Sequence, residues 1–343
     1  TCWTCKSPDV PRYMAEHGIA EFYAKKWSEL GNEIVNPIGC ADCHDAKTMN
    51  LRVSRPALIE AFKRQGKDIN QQEMRSLVCA QCHEEYYFKK GTNYLTFPFD
   101  KGQTVEAIEQ YYDEQGFTDY VHKLSKAPIL KAQHPGWSMF LQGPHGQHGV
   151  ACADCHMPYK AEGGIKYSDH QIMSPLAKIS STCQTCHRES EENLRNWANE
   201  NLRKGEEVRT VAEEALAKDH IMAKACWDAG ATEEEMQPIL KLIRQSQWRW
   251  DYAVASHGAA FHAPAEFQRI MSHSIEKAYQ AQVLLQKVMI AHNVNFTMPD
   301  VSTKEKAQAY IGLNMAEKKA AKDKFLQTVV PQWVEEAKKA GRL

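Results

Sequence analysis

The sequence predicts a mainly α-helical protein in two unlike halves, and three observations carry that expectation. Five Cys-x-x-Cys segments all fall within residues 1–190, among short helical patterns punctuated by Gly and Pro. From about residue 188 the texture changes to long amphipathic stretches rich in Ala, Glu, Lys, Leu and Gln, which favour helix. No further internal repeat of about 20–50 residues appears, so a solenoid is not expected.

In chain order the five segments are Cys2-Trp3-Thr4-Cys5-Lys6, Cys40-Ala41-Asp42-Cys43-His44, Cys79-Ala80-Gln81-Cys82-His83, Cys152-Ala153-Asp154-Cys155-His156 and Cys183-Gln184-Thr185-Cys186-His187. Cys-x-x-Cys-His is the attachment signature of a c-type haem: two thioethers hold the porphyrin and the adjacent imidazole reaches the iron. A zinc ribbon needs two Cys pairs per metal, so five pairs leave one over, and the abutting histidine does nothing for tetrahedral zinc. A redox dithiol needs one pair, not five. The expected protein is a multihaem cytochrome c with five covalent haems, one of which carries lysine in place of histidine. The eleventh cysteine, Cys226, falls in a predicted helix and reads as a small buried hydrophobe.

The second half is expected to hold three or four long helices. The first runs from near Glu189 to Asp228 and stops at Gly230. Thr232 with Glu235 forms a capping box for the second, which continues through Trp248 and Trp250 to about His257. Gly258 and Pro264 interrupt the pattern. The third, from Pro264 to His292, spans about 43 Å at ~1.5 Å per residue and places Ala278, Ala281, Leu285, Val288 and His292 on one stripe. Ser302 with Glu305 is expected to start the last helix. The chain reads as a single multihaem domain, 1–190 binding haem and 191–343 supplying long helices whose stripes pack on the haem half or on a second copy in a homodimer.

The totals restrict the partners. Lys and Arg (42) nearly balance Asp and Glu (43), and haem propionates would add negative charge, which disfavours nucleic acid. No run of about 18 apolar residues appears, so no spanning helix is expected. Thioether attachment takes place outside the bacterial cytoplasmic membrane, which points to the periplasm. A haem motif at the second residue, with no signal peptide before it, reads as a processed form or a fragment whose native N-terminal segment is missing.

A haem iron with two imidazoles can only pass electrons, because no position is left for a substrate. Four proximal histidines, His44, His83, His156 and His187, call for distal partners, and the eleven other histidines outnumber the need. His145 and His148 precede the fourth motif, His170 lies between the fourth and fifth, and His262 sits in the break between long helices, but the sequence alone does not choose among them. Lysine binds iron only as the neutral amine, so burial and the metal must draw off its proton. So costly a ligand marks the first haem as the catalytic one, with its distal position open.

With Cys-Trp-x-Cys-Lys followed by four Cys-x-x-Cys-His segments, the chain resembles the ammonia-forming cytochrome c nitrite reductases over nearly its whole length. His83-Glu84-Glu85-Tyr86-Tyr87-Phe88 and Leu130-Lys131-Ala132-Gln133-His134-Pro135-Gly136 support the likeness. The resemblance implies periplasmic six-electron reduction of nitrite to ammonium, with Lys6, Tyr86 and His134 as catalytic residues. It implies a Ca2+ site from the Glu85 carboxylate, the Tyr86 and Lys131 carbonyls and the Gln133 side-chain oxygen, an all-oxygen set suited to a hard cation. It pairs His44 with His170, His156 with His262 and His187 with His145; the family's distal partner for His83 and its active-site arginine both lie upstream of the first motif. Hydroxylamine, nitric oxide and sulfite are implied as further substrates, and a multihaem cytochrome or membrane quinol dehydrogenase as donor. The alternative is a non-enzymatic electron-transfer cytochrome in which every iron has two protein ligands. Octahaem relatives are disfavoured by the count of five motifs.

Overall fold

The computed structural model describes residues 2–343; Thr1 and the side chain of Cys2 lie outside the described residues. Helix dominates, and the strands among the described residues are three two-stranded antiparallel hairpins.

The motif half has only short elements. Motif one is a 3-10 turn, Cys2–Cys5; motifs two and four are single turns, Cys40–Cys43 and Cys152–His156; motif three leaves the end of the Gln71–Ala80 helix. Such pieces bury little, and the middle residues of the motifs tie them together. Arg55, 2% exposed, pairs with the Asp42 carboxylate of motif two and donates from Nε to Thr4 O of motif one at 2.8 Å. The Gln81 amide of motif three donates to Asp42 O at 2.8 Å and accepts from Ser54 N at 3.0 Å. Asp154 of motif four accepts from Ala151 N at 2.7 Å and from Arg75. A buried charge persists only when paired and bonded, so these contacts fix how the motifs sit against one another. Around them, Val10, Phe22, Leu58, Phe62, Phe97, Phe99 and Trp137 form one apolar core.

The long helices follow the caps expected of them. Ser190 accepts from Asn193 N at 3.2 Å and opens Glu191–Asp228, with Glu191 and Glu192 in its first turn, where the helix dipole favours acid. Thr232 and Glu235 form the reciprocal box that opens Glu233–Ala255. Pro264 is the first residue of Pro264–Ala291, whose Ala278, Ala281 and Leu285 are fully buried against the other two. Small residues in that seam let the backbones approach. A second cluster crosses residue 190, joining Tyr87, Tyr112, Leu130 and Met139 to Trp248, Tyr252, Phe267 and Ile270. Cys226 is fully buried in a third cluster, and burial pushes its thiol up to about 11.

Three expectations need correction. His292 is not on the apolar stripe: it caps the third helix and reaches Glu235 with Nε2 at 3.0 Å. Ser302 is not the last cap, because its hydroxyl donates to Asp300 at 2.7 Å and Thr303 accepts from Lys306 N instead. The last helix is not continuous. It breaks at Gly312, φ +67°, into Lys304–Tyr310 and Met315–Lys339, the second with its own Asn314 cap.

Met315–Lys339 returns to motif one. Trp333 lies over Gly31, where a Cβ would stand 2.0 Å from the indole, so only glycine allows the contact. Trp333 meets Trp27 edge-on at 5.2 Å, and Trp27 stacks on Trp3 of the first motif at 5.2 Å and 6°. Trp3 Nε1 donates to Trp27 O at 2.7 Å.

Candidate haem ligands and active site

The fold brings three histidine pairs to one separation. Ring centroids stand 6.2 Å apart for His44 and His170, 6.2 Å for His156 and His262, and 6.1 Å for His145 and His187. Two imidazoles on opposite sides of one metal, each nitrogen about 2 Å from it, have centroids roughly 6 Å apart. Backbone carbonyls take Nδ1 of His44 (Met49 O, 2.7 Å), His156 (Met173 O, 3.0 Å) and His170 (Ser168 O, 2.9 Å). That bond turns Nε2 toward a metal and fixes the ring. His262 sits in the break between long helices; burial first, then His156 and His145, pushes it down to about 4, so it stays the neutral imidazole a metal requires. Its Nδ1 is buried without a hydrogen-bond partner.

Motif three lies between motifs one and four: the Cys82 thiol adjoins Cys5, and Cys79 adjoins Cys152. His83 is held below its ordinary range by burial, with His257 and His156 adding to the effect.

The segment from Lys131 to Pro135 meets Glu85, two residues after His83. Glu85 is fully buried; Oε1 accepts from Tyr112 Oη at 2.7 Å and Oε2 from Gln133 N at 2.6 Å. Glu84, also fully buried, accepts from Ser138 N and Oγ, both at 2.8 Å. Lys131 N donates to Asp119 at 2.8 Å and Ala132 N to Asp251 at 3.0 Å. Burial pushes all four acids up: Glu84 to about 8, Asp251 to about 6, and Asp119 and Glu85 upward, Glu84 and Asp119 adding to the effect at Glu85. Among the described residues no three His, Cys, Asp or Glu side chains form a ready metal cluster. A cation there would take a mixed set of carboxylate and carbonyl oxygens, which is what a hard ion accepts and what this surplus of buried acid calls for.

Tyr86 is 8% exposed and meets Phe88 edge-on at 5.7 Å. The His134 ring meets His257 edge-on at 5.7 Å, and burial, His257, His83, Lys131 and Lys6, in that order, hold it below its ordinary range. Lys6, His83, His134 and His257 thus share one electrostatic neighbourhood. Sequence reasoning missed Tyr112, Asp119, Asp251, His257 and Arg55. Asp251 reaches the site from 119 residues beyond its partner, with no local pattern to announce it.

The family model for cytochrome c552 matches residues 1–341. Cytochrome c-552 of Bacteroides thetaiotaomicron is 64% identical over 348 residues, spanning 100% of this chain and 71% of that protein. The Porphyromonas gingivalis protein is 62% identical, with 100% and 70% covered. A structure of cytochrome c nitrite reductase from Desulfovibrio desulfuricans, described with two calcium sites in its catalytic subunit, superposes with a TM-score of 0.80 at 34% identity, covering 87% of this chain and 68% of that one. No helix among the described residues is long and apolar enough to cross a membrane. A haem-binding, mainly helical chain matched from end to end in this way belongs to the cytochrome c552 family.

Proposed function

We propose that the chain is a periplasmic, five-haem reductase that converts nitrite to ammonium, consuming six electrons and eight protons and releasing two waters. The observation that carries the reading is a repeated geometry beside one unlike motif: three of the four proximal histidines stand paired at 6.1 to 6.2 Å, while the first motif offers Lys6 in place of histidine. Cys2 and Cys5, Cys40 and Cys43, Cys79 and Cys82, Cys152 and Cys155, and Cys183 and Cys186 would hold the haems. Their irons would carry electrons and, at the first motif, bind nitrite.

The chain's own residues do the rest. Lys6 would hold the first haem and leave it able to bind substrate. His134 and Tyr86 would act on the bound anion: an imidazole proton would attract it and serve as N–O bonds break, and the phenol would orient it by hydrogen bonding. Glu85, with the Tyr86 and Lys131 carbonyls and Gln133, would hold Ca2+, whose charge offsets the buried acids and fixes the Tyr86 backbone. The contacts of Cys82 with Cys5 and of Cys79 with Cys152 support an electron route through motif three.

The two halves act as one domain, consistent with the cluster that crosses residue 190. Exposed Tyr279, Val283 and Ile290 on the third long helix support a homodimer. A membrane quinol dehydrogenase or a small multihaem cytochrome would deliver electrons, and hydroxylamine, nitric oxide and sulfite would be reduced at the same centre.

The test is oxidation of reduced methyl viologen by nitrite, with ammonium and bound haem counted, in native protein and in Lys6→His. The expected result is ammonium from native protein, and its loss in the variant with all five haems retained. A fully active variant would remove Lys6 from its role, and a native protein that binds no cyanide or nitrite would be an electron carrier.

A further inference from the structure

Lysine is a poorly anchored ligand. A metal-bound imidazole has a second nitrogen to fasten it, as Met49 O and Met173 O fasten His44 and His156. Lysine ends a flexible four-carbon stem in one nitrogen, so what aims it is the backbone beneath. In motif one that backbone is held by a single guanidinium. Arg55 Nε donates to Thr4 O and Nη2 to Ser7 O, each at 2.8 Å, so the two carbonyls that flank Cys5-Lys6 are gripped by one planar fork. Nη1 is turned away, to Asp42 and to Ser54 Oγ at 2.7 Å, which anchors the fork on motif two. Inside the loop, Lys6 N closes on Trp3 O at 2.9 Å. Among the described residues no guanidinium grips a main-chain carbonyl of the four histidine motifs; Arg75 on motif four takes the Asp154 side chain.

We propose that Arg55 is the positioning residue of the lysine ligand: it clamps the Thr4–Ser7 backbone so that the Lys6 amine meets the iron, a service a histidine in that place would not need. The inference rests on Lys6 being the proximal ligand, and the experiment separates the two claims. Arg55→Lys keeps the charge but loses the planar fork, and is made in the native protein and in Lys6→His. The readouts are haem content, the electron paramagnetic resonance signal and reduction potential of the first haem, and kcat and KM for nitrite.

In the native background Arg55→Lys should shift the first-haem signal and potential and lower kcat about 10- to 100-fold, with KM less affected. In Lys6→His the same change should leave the first-haem signal and potential where Lys6→His alone puts them. Equal shifts in both backgrounds, or none in either, overturn the proposal. If Arg55→Lys abolishes haem incorporation at motif one, recovery in the double variant supports the clamp, and failure in both backgrounds makes Arg55 general scaffold and overturns it. A Lys6→His protein whose first-haem signal equals the native one sinks the ligand assignment itself.

Discussion

The two halves of the molecule keep their order by different means. In residues 191–343 long helices bury continuous stripes, Ala278, Ala281 and Leu285 among them, and two of them start on caps supplied locally, at Ser190 and Thr232. In residues 1–190 the helices are short, and much of the order comes from buried polar groups reaching across loops: Arg55 to Asp42, Gln81 to Asp42 O, Glu85 to Tyr112 and Gln133. Apolar stripes gain most of their order from packing on apolar neighbours, whereas a half made of single turns and buried acids is completed by what it binds.

Withholding haem breaks the comparison most sharply. Chain made without haem attachment should be cleaved by trypsin throughout residues 1–190 while a resistant fragment from 191–343 persists, as mass spectrometry of the digest would show. Equal resistance of both halves would contradict the contrast.

A smaller effect tests the acids around Glu85. Burial raises Glu84 to about 8 and Glu85 well above its ordinary range, so without a cation the folded chain favours both in the protonated form. Each then costs stability progressively as pH rises from the ordinary carboxylate range, near 4.5, toward its folded value. Calcium bound there would remove that cost by favouring the ionised form. Chelation should therefore lower the melting temperature at pH 8 by the equivalent of about 3 kcal/mol for a site a hundredfold above its Kd, and hardly at all at pH 5. Glu85→Gln should abolish the dependence on calcium.

The helical half contains a buried acid of its own, and it gives the smallest effect. Both oxygens of Asp219 are buried with the Gln282 amide as their nearest polar neighbour, and that amide also donates to Ala215 O at 3.3 Å. Burial raises Asp219 to about 8, so it too subtracts stability as pH climbs from about 4 to 8. Asp219→Asn should stabilise the protein by about 2 kcal/mol at pH 8 and by almost nothing at pH 4 in calorimetry. Equal shifts at both pH values would show that the acid is not the cause.

Legibility in the sequence follows the same division. Helix starts in the second half are local events: Thr232-x-x-Glu235 and the Gly258 to Pro264 break can be read from a few neighbouring residues. The break at Gly312 was not read, because a lone glycine in a helical pattern is tolerated until Asn314 restarts the helix. Thr303 displaced Ser302 as cap because Asp300, two residues back, captured the serine hydroxyl. In the motif half the cysteine pairs are legible because spacing alone marks them, whereas the histidine pairings come from family resemblance. Tyr112, Asp119, Asp251 and Arg55 were invisible, since a carboxylate or guanidinium becomes significant only when tertiary structure buries it.

Trp333 beneath Gly31 has a consequence for biogenesis. The Met315–Lys339 helix is translated after every attachment motif, yet it braces Trp27 and through it Trp3, between the cysteines of the lysine motif. The earliest of the five motifs thus gains part of its support from a helix translated after all of them, so a truncation ahead of Trp333 would be felt first at the lysine motif.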